Sequence, residues 1–244
     1  MTAEELVEFW RYCDLQRPPY RHPADDLRSG RVQHGVNNYD DYVEKFKQGR
    51  LREDAFHLSL LPQPYHGDIK NAKVFVLLKN PGFSASDYVA EEMDGGFRQS
   101  IIETIRQKVS SHMFLDPKWA WTGGFDWWES KLRETARIVA CRRFDSNYAQ
   151  ALKCLAETVA CLELIPYHSK SFGGTTKIAS ANAVRAFAQR ASKDGKKVVV
   201  ARAVKEWGLE DRQNVIKYSR GQARGASLGP HSPGGQAILE CLGL

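Results

Sequence analysis

The sequence contains no C-x-x-C pair. Its five cysteines, Cys13, Cys141, Cys154, Cys161 and Cys241, are scattered and odd in number. That pattern excludes a disulfide framework and the ligand spacing of a zinc or iron–sulfur site. Buried free thiols in a reducing cytoplasm are the expectation. No apolar run approaches the length that crosses a bilayer. The start, Met1–Glu5, is acidic and carries no apolar signal segment. Two familiar site signatures are missing as well. No G-x-G-x-x-G follows a strand-like run, and H-E-x-x-H does not occur. Gly173-Gly-Thr-Thr-Lys177 has the residues of a phosphate loop at the wrong spacing. No cofactor and no metal are therefore expected.

What is present is a chain of 244 residues, 42% hydrophobic and 26% charged, enough for one α/β domain with insertions. The formal net charge of +6 suits a polyanion such as nucleic acid, or simply a basic soluble protein. With no internal repeat and no linker-like stretch, residues 1–244 read as a single, monomeric domain. It carries an N-terminal helical extension over 1–60 and an aromatic-rich insertion over 115–145.

The organising stretch is Lys73-Val-Phe-Val-Leu-Leu-Lys79, an apolar run too short for a helix. It reads as a strand buried on both faces, as in a parallel sheet. Asn80-Pro81-Gly82-Phe83-Ser84 ends it, because Pro81 cannot donate to a ladder and Gly82 admits unusual backbone angles. Further strands are expected at Thr158–Ile165, Lys197–Ala201 and Asn214–Tyr218. Between them run helices: 3–13, Asp40–Arg52 with Tyr42, Val43 and Phe46 facing in, Phe97–Ser110, one through about Ala140, Asn147–Glu157 capped by Ser146, 178–193, and a last one ending at Leu242. Ser84–Gly96 reads as a polar loop and Ser219–Gly229 as a flexible basic loop. Gln16–Gln33, with Arg17, Arg21, Arg28 and Arg31, is either a basic surface arm or a tether over the core. Trp119, Trp121, Trp127 and Trp128 are either a platform on which bases stack or a core beneath the insertion. The expected architecture is α/β in three layers: a central four-stranded parallel sheet flanked by helices.

In open parallel sheets ligands bind at the carboxyl edge. Four strand ends deliver polar groups there: Asn80; Glu163 with Tyr167 and His168; Arg202; and the loop carrying Arg220 and His231. Glu163 stands out, because an unpaired carboxylate inside an apolar strand is costly. It needs a partner, either Arg202, His168 or a ligand donor.

Asn80-Pro81-Gly82 after the first core strand resembles the first motif of the uracil-DNA glycosylase superfamily. Pro230-His231-Ser232-Pro233, after the fourth strand and before the last helix, resembles its second motif. The resemblance covers roughly 61–244 and implies hydrolysis of an N-glycosidic bond in DNA after the nucleotide is flipped out. It implies that Asn80 orients the attacking water and that His231, or His168 if the loop is shifted by one residue, donates to the base as charge develops. Ser232 and Pro233 would press on the DNA backbone, and Phe83, Tyr88 or Phe97 would stack on the base. Lys79, Lys217, Arg202, Arg220 and Arg224 are the candidate phosphate contacts. The sequence departs from the family in placing Glu163 where uracil-specific members place an Asn. An ionised Glu only accepts, which fits the amino group of cytosine. The expectation is a DNA glycosylase that removes a 5-substituted cytosine, hydroxymethylated or glucosylated, as in phage DNA, and leaves an abasic site. This is an antiviral role resembling that of anti-phage members. The alternatives are a uracil or mismatch repair glycosylase, with Glu163 structural, and an inert nucleic-acid-binding module on the same fold.

Overall fold

The computed structural model describes residues 1–27, 32–33, 35–52, 54–171 and 178–244. In chain order the elements are α1 (Ala3–Arg11), β1 (Val32–Gln33), α2 (Tyr39–Lys47), β2 (Phe56–His57), β3 (Tyr65–His66), β4 (Val74–Leu78), α3 (Ala85–Met93), α4 (Gly95–Ile105), α5 (Gly123–Arg143), α6 (Tyr148–Thr158), β5 (Val159–Glu163), α7 (Ala179–Lys193), β6 (Lys197–Val200), α8 (Val204–Trp207), β7 (Val215–Lys217), α9 (Arg220–Gly225) and α10 (Pro233–Cys241). Strands β1 and β2 form a small parallel ribbon.

The central sheet has the order β3-β5-β4-β6-β7. It therefore has five strands rather than four. The four expected strands are parallel, and β3 adds an antiparallel edge through Tyr65↔Leu162 and His66↔Cys161. Every residue of β4 and β5 is buried, which is why both read as unbroken apolar runs rather than alternating ones.

The register shows which helices lie on which face. Phe75 pairs with Val198, and its ring meets Phe187 of α7 edge-on, 5.4 Å between centroids. Val76 pairs with Val199, whose Cγ1 would lie 2.9 Å from a Cβ built on Gly234 of α10. Neighbouring residues of a strand face opposite ways, so α7 and α10 cover opposite faces. Helix α1 packs on α7, and α5 and α6 join α10. The result is helix–sheet–helix layering.

The parallel strands run second, first, third, fourth across the sheet, so the winding reverses between β4 and β6. Their ladder ends there. Leu77 O accepts from both Ala201 N and Arg202 N, and the indole Nε1 of Trp207 on α8 takes Leu78 O at 2.9 Å. On the other side pairing continues, with Ile165 N reaching Lys79 O at 2.9 Å. A crevice therefore opens at the carboxyl end of β4, where such a reversal favours ligand binding.

Several expectations change. Ser84–Gly96 is not a loop: Ser84 and Asp87 form a capping box that starts α3. Ser219–Gly229 is not simply flexible, since Ser219 and Gln222 cap the short helix α9 in the same way. Asn147, not Ser146, caps α6. Phe46 is 65% exposed rather than inward; α2 buries no residue and leans on the Phe83–Tyr88 cluster through Tyr42. Of the thiols, Cys13 and Cys161 are buried and Cys141 is exposed. The described part of the N-terminal basic stretch is a tether: Tyr20 and Leu27 are buried, and Asp25 accepts from Tyr167 Oη at 2.5 Å, Ser180 N at 2.8 Å and Ser180 Oγ at 2.6 Å. Arg28, Arg31 and Gly173–Lys177 lie outside the described residues. No described helix is long and apolar enough to cross a membrane.

Candidate active site

The crevice is a cavity of about 310 Å³. The loop after β4 supplies Asn80 to Ser84, the end of β5 supplies Glu163, the following loop supplies His168 and Ser169, and the end of β6 supplies Arg202. The insertion closes it from the side with Phe114, Trp127, Trp128 and the first residues of α5. Gly124 is required there, because a Cβ would collide with the Phe114 ring.

Asn80 is fixed by two hydrogen bonds, Nδ2 donating to Pro81 O at 2.7 Å and to Ser169 O at 3.2 Å. With both amide hydrogens engaged, Oδ1 is the end that remains to accept. The chain folds this way because the proline after Asn80 stops the ladder.

Glu163 is 4% exposed. Its Oε1 accepts from Cys161 Sγ at 3.7 Å, and its Oε2 has no hydrogen-bond partner among the described residues. Burial holds its carboxyl well above the usual carboxylate range, against the weaker pulls of the Cys161 thiol and Arg202. Arg202 Nε is likewise buried and unpaired. Neither residue has an ion-pair partner among the described residues, so of the partners weighed for Glu163, Arg202 acts on it only as a Coulombic influence and His168 makes no bridge to it. Burial thus favours the protonated form of the carboxyl, which can both donate and accept.

His168 Nδ1 lies 2.9 Å from Gly82 O, which makes it the donor, and 3.7 Å from Asp87 Oδ2. Burial lowers its pKa, against the pull of Asp87 and of the Gly82 and Leu61 carbonyls. Asp87 is anchored by its own capping bond from Ser84 N, 2.8 Å. His66, on β3, is pushed far below the ordinary imidazole value by burial and by His112.

Two of the three stacking candidates line the cavity. Phe83 is half-buried and stacks on His57, with centroids 3.6 Å apart and planes 8° apart, so one of its faces is already covered. Phe97 is buried and meets Trp119 edge-on at 5.2 Å. Tyr88 is outside the lining: its hydroxyl lies between His57 Nδ1 at 3.0 Å and Ser59 Oγ at 2.9 Å. The tryptophans divide. Trp119 and Trp128 are core, Trp127 is half-buried on the cavity wall, and Trp121 is exposed.

The second motif stands apart. His231 is exposed and does not line the cavity. Ser232 caps α10, accepting from Gly235 N at 3.0 Å, and Pro233 occupies the first turn. Lys217 is engaged by Leu209 O at 2.6 Å and Asp211 at 2.8 Å. Arg220 and Arg224 are exposed on α9. Gly225-Ala-Ser-Leu-Gly229 fits G-x-S-x-G, but it follows a helix instead of joining a strand to one, and Ser227 Oγ accepts from Gly229 N. It is not a nucleophile elbow.

The lining also holds residues that the sequence did not put forward as site residues, among them Gln63, His66, Asp87 and Glu91, and it takes Trp127 from the tryptophan cluster. Gln63, from the lead-in to β3, is 6% exposed and lines the cavity; nothing in the sequence marked it. Asp87 was marked by the Ser84-x-x-Asp87 spacing. Trp127 lay within the tryptophan cluster. Among the described residues no group of three His, Cys, Asp or Glu side chains is placed to hold a metal ion. No family model, curated protein or solved structure matches the chain, so the functional reading rests on the site's own chemistry.

Proposed function

We propose that the chain is a monofunctional DNA glycosylase that hydrolyses the N-glycosidic bond of a flipped pyrimidine, with a 5-substituted cytosine of phage DNA as its principal substrate. The observation that carries this reading is the content of one crevice: Asn80 with its carbonyl oxygen left to accept, a buried Glu163 with an unpaired oxygen, and aromatic walls from Phe83, Phe97 and Trp127. A flipped base needs aromatic or apolar contacts on its faces and hydrogen bonds on its pairing edge. The resemblance of Asn80-Pro81-Gly82 to the first uracil-DNA glycosylase motif supports the same chemistry; the second motif, with His231 outside the cavity, adds no support at this site.

In this reading Asn80 Oδ1 accepts from the water that attacks C1′. Neutral Glu163 donates through Oε2 to N3 of cytosine and accepts from the exocyclic amino group. Arg202 stabilises the negative charge that the step develops on the pair of Glu163 and base. His231, Arg220 and Arg224, all exposed, take the DNA backbone.

One observation favours a second reading. A neutral carboxyl pairs equally well with N3–H and O4 of uracil, so burial of Glu163 removes the discrimination that an ionised carboxylate would give. A uracil or mismatch glycosylase is that second reading.

The test is abasic-site formation on duplexes carrying uracil, cytosine, 5-hydroxymethylcytosine and glucosylated 5-hydroxymethylcytosine, with Asn80→Ala as control. Release from the modified cytosines alone is expected. Release from uracil would transfer the assignment to repair. Salt-sensitive DNA binding with no abasic site on any duplex would overturn the enzyme and leave the binding module.

A further inference from the structure

Resting on the glycosylase reading, we infer that Glu163 is a catalytic acid as well as a reader of the base: its Oε2 proton passes to N3 of the departing cytosine as the glycosidic bond breaks. The argument starts from a mismatch between fold and need. A group that only holds a base edge is served by an amide, which keeps its hydrogens. The sheet instead places a carboxyl at the end of β5, where it is buried, has no ion-pair partner among the described residues, and is oriented through Oε1 by a thiol two residues back on the same face. Cytosine departing as an anion is a poor leaving group; departing with N3 protonated it is neutral.

The step balances as follows. The C1′–N1 bond breaks and its electron pair moves into the base. The proton on Glu163 Oε2 moves to N3, so the base leaves neutral. Water forms the new C1′–O bond and releases a proton to solvent. Glu163, left as a carboxylate opposite Arg202, takes a proton back once the base has gone. The charged and titratable groups around it are Cys161 on its own strand, His66 on β3, Asp87 and Glu91 on α3, His168 and Lys170 beyond β5, and Arg202 beyond β6. Burial raises the Cys161 thiol and lowers His66 and His168, so these three are neutral neighbours. Arg202 is the cation placed to receive the carboxylate that the transfer creates.

The experiment is single-turnover base release as a function of pH, for wild type and Glu163→Gln, on the modified cytosine that wild type releases and on its 5-fluorocytosine counterpart. Wild type should lose rate at alkaline pH through one deprotonation and show a normal solvent deuterium isotope effect. Glu163→Gln should be slower by about 100- to 10,000-fold on the modified cytosine, lack the alkaline step, and recover part of its rate on 5-fluorocytosine, which leaves more readily. A variant rate within about threefold of wild type, or an unchanged pH profile, would overturn the inference. Should Glu163→Gln not fold, the wild-type isotope effect decides alone, and a value of one counts against proton transfer. Wild type releasing no base from any duplex is a different failure, since it removes the glycosylase reading and this inference with it.

Discussion

The side-chain amide of Asn80 donates to the carbonyl of Ser169 at 3.2 Å, tying the loop after β4 to the loop after β5. The second amide hydrogen goes to Pro81 O at 2.7 Å. The side chain is therefore a brace between two cavity walls, and only its carbonyl end is left for a ligand. Asn80→Ala should reduce base release by about 100-fold or more, through loss of a positioned water, and cost about 1 kcal/mol of stability, the usual worth of such hydrogen bonds. Asn80→Asp should melt lower than Asn80→Ala, because a carboxylate oxygen would then face two carbonyls. Equal melting temperatures for the two variants would show that the brace is not what orients the side chain.

The buried histidines set an acid limit on stability. Burial pushes His57 and His112 down to about 3, so both are neutral in the fold and charge on unfolding below about pH 6.5. Their folded values are depressed. The stability they confer is complete above pH 6.5 and is lost as pH falls from there toward 3. At pH 5 each costs about 2 kcal/mol relative to neutral pH. Among the described residues neither ring nitrogen of His112 has a hydrogen-bond partner, and the ring meets Trp128 at 4.4 Å between centroids, so His112→Phe keeps an aromatic ring and removes one titration. The variant should lose less melting temperature than wild type between pH 7 and pH 5. Buried Glu91 accepts from Leu61 N and pairs with Arg98 at 3.1 Å, yet burial outweighs both and raises it to about 8, so its share of stability falls as pH rises from the ordinary carboxylate range toward 8.

The strands and the crevice were legible because their signals are local. Val74–Leu78 and Val159–Glu163 are unbroken apolar runs, and Pro81 fixes where the first one stops. Strand β3 was not legible, because Tyr65–His66 is two residues long and follows Pro62 and Pro64; only pairing to Cys161 and Leu162 makes it a strand. Helix α3 buries just Tyr88, Ala90 and Glu91, too thin a stripe to outweigh its polar face, although its capping box was readable. Asn80, Glu163, His168 and Arg202 converge as strand order implies. The charge state of Glu163 is a different matter, since it depends on burial and on how Arg202 sits across the crevice, which no spacing reveals. His231 could be named from its motif, but its exposure depends on how α10 lies on the sheet.

That placement of α10 separates a structural from a functional role within one loop. A Cβ on Gly235 would collide with the carbonyl of Gly229, and one on Gly234 would stand 2.9 Å from both Leu228 Cδ2 and Val199 Cγ1. The Gly235 clash is with backbone, which cannot swing aside as the side chains near Gly234 can, Tyr218 Oη being nearest there at 2.5 Å. Gly235→Ala should destabilise by roughly 3 kcal/mol or more, the upper range for overpacking. His231→Ala, at an exposed position, should stay within about 0.5 kcal/mol of wild type. If His231 contacts DNA, its variant should weaken duplex binding while melting at the wild-type temperature. A His231→Ala variant that melts well below wild type would instead make this residue part of the scaffold.

Asp25 offers a test of how the N-terminal tether supports the site from behind. Its carboxylate is 2% exposed and accepts three hydrogen bonds, from Tyr167 Oη, Ser180 N and Ser180 Oγ. Tyr167 Oη in turn accepts from His22 N at 3.1 Å. Tyr167 immediately precedes His168 and Ser169 on the cavity wall, so the tether holds the backbone that carries them. Asp25→Ala strands three buried donors and should cost about 3 kcal/mol, the scale expected when one partner of a buried charge-assisted network is removed. Asp25→Asn keeps the shape and one acceptor but must turn an N–H toward a donor, so it should fall between wild type and Ala. Because the damage reaches His168 and Ser169 only through Tyr167, Tyr167→Phe is the informative comparison. It frees Asp25 of one donor and leaves the ring packed 5.6 Å from Phe56. It should retain most of the stability while loosening the Ser169 carbonyl that braces Asn80. Hydrogen exchange measures both effects. Faster exchange in the 165–170 backbone of Tyr167→Phe, with α1 and α7 unchanged, is the expected result. Uniform loss of protection across the whole domain would mean that the tyrosine hydroxyl supports global stability and not the wall of the site.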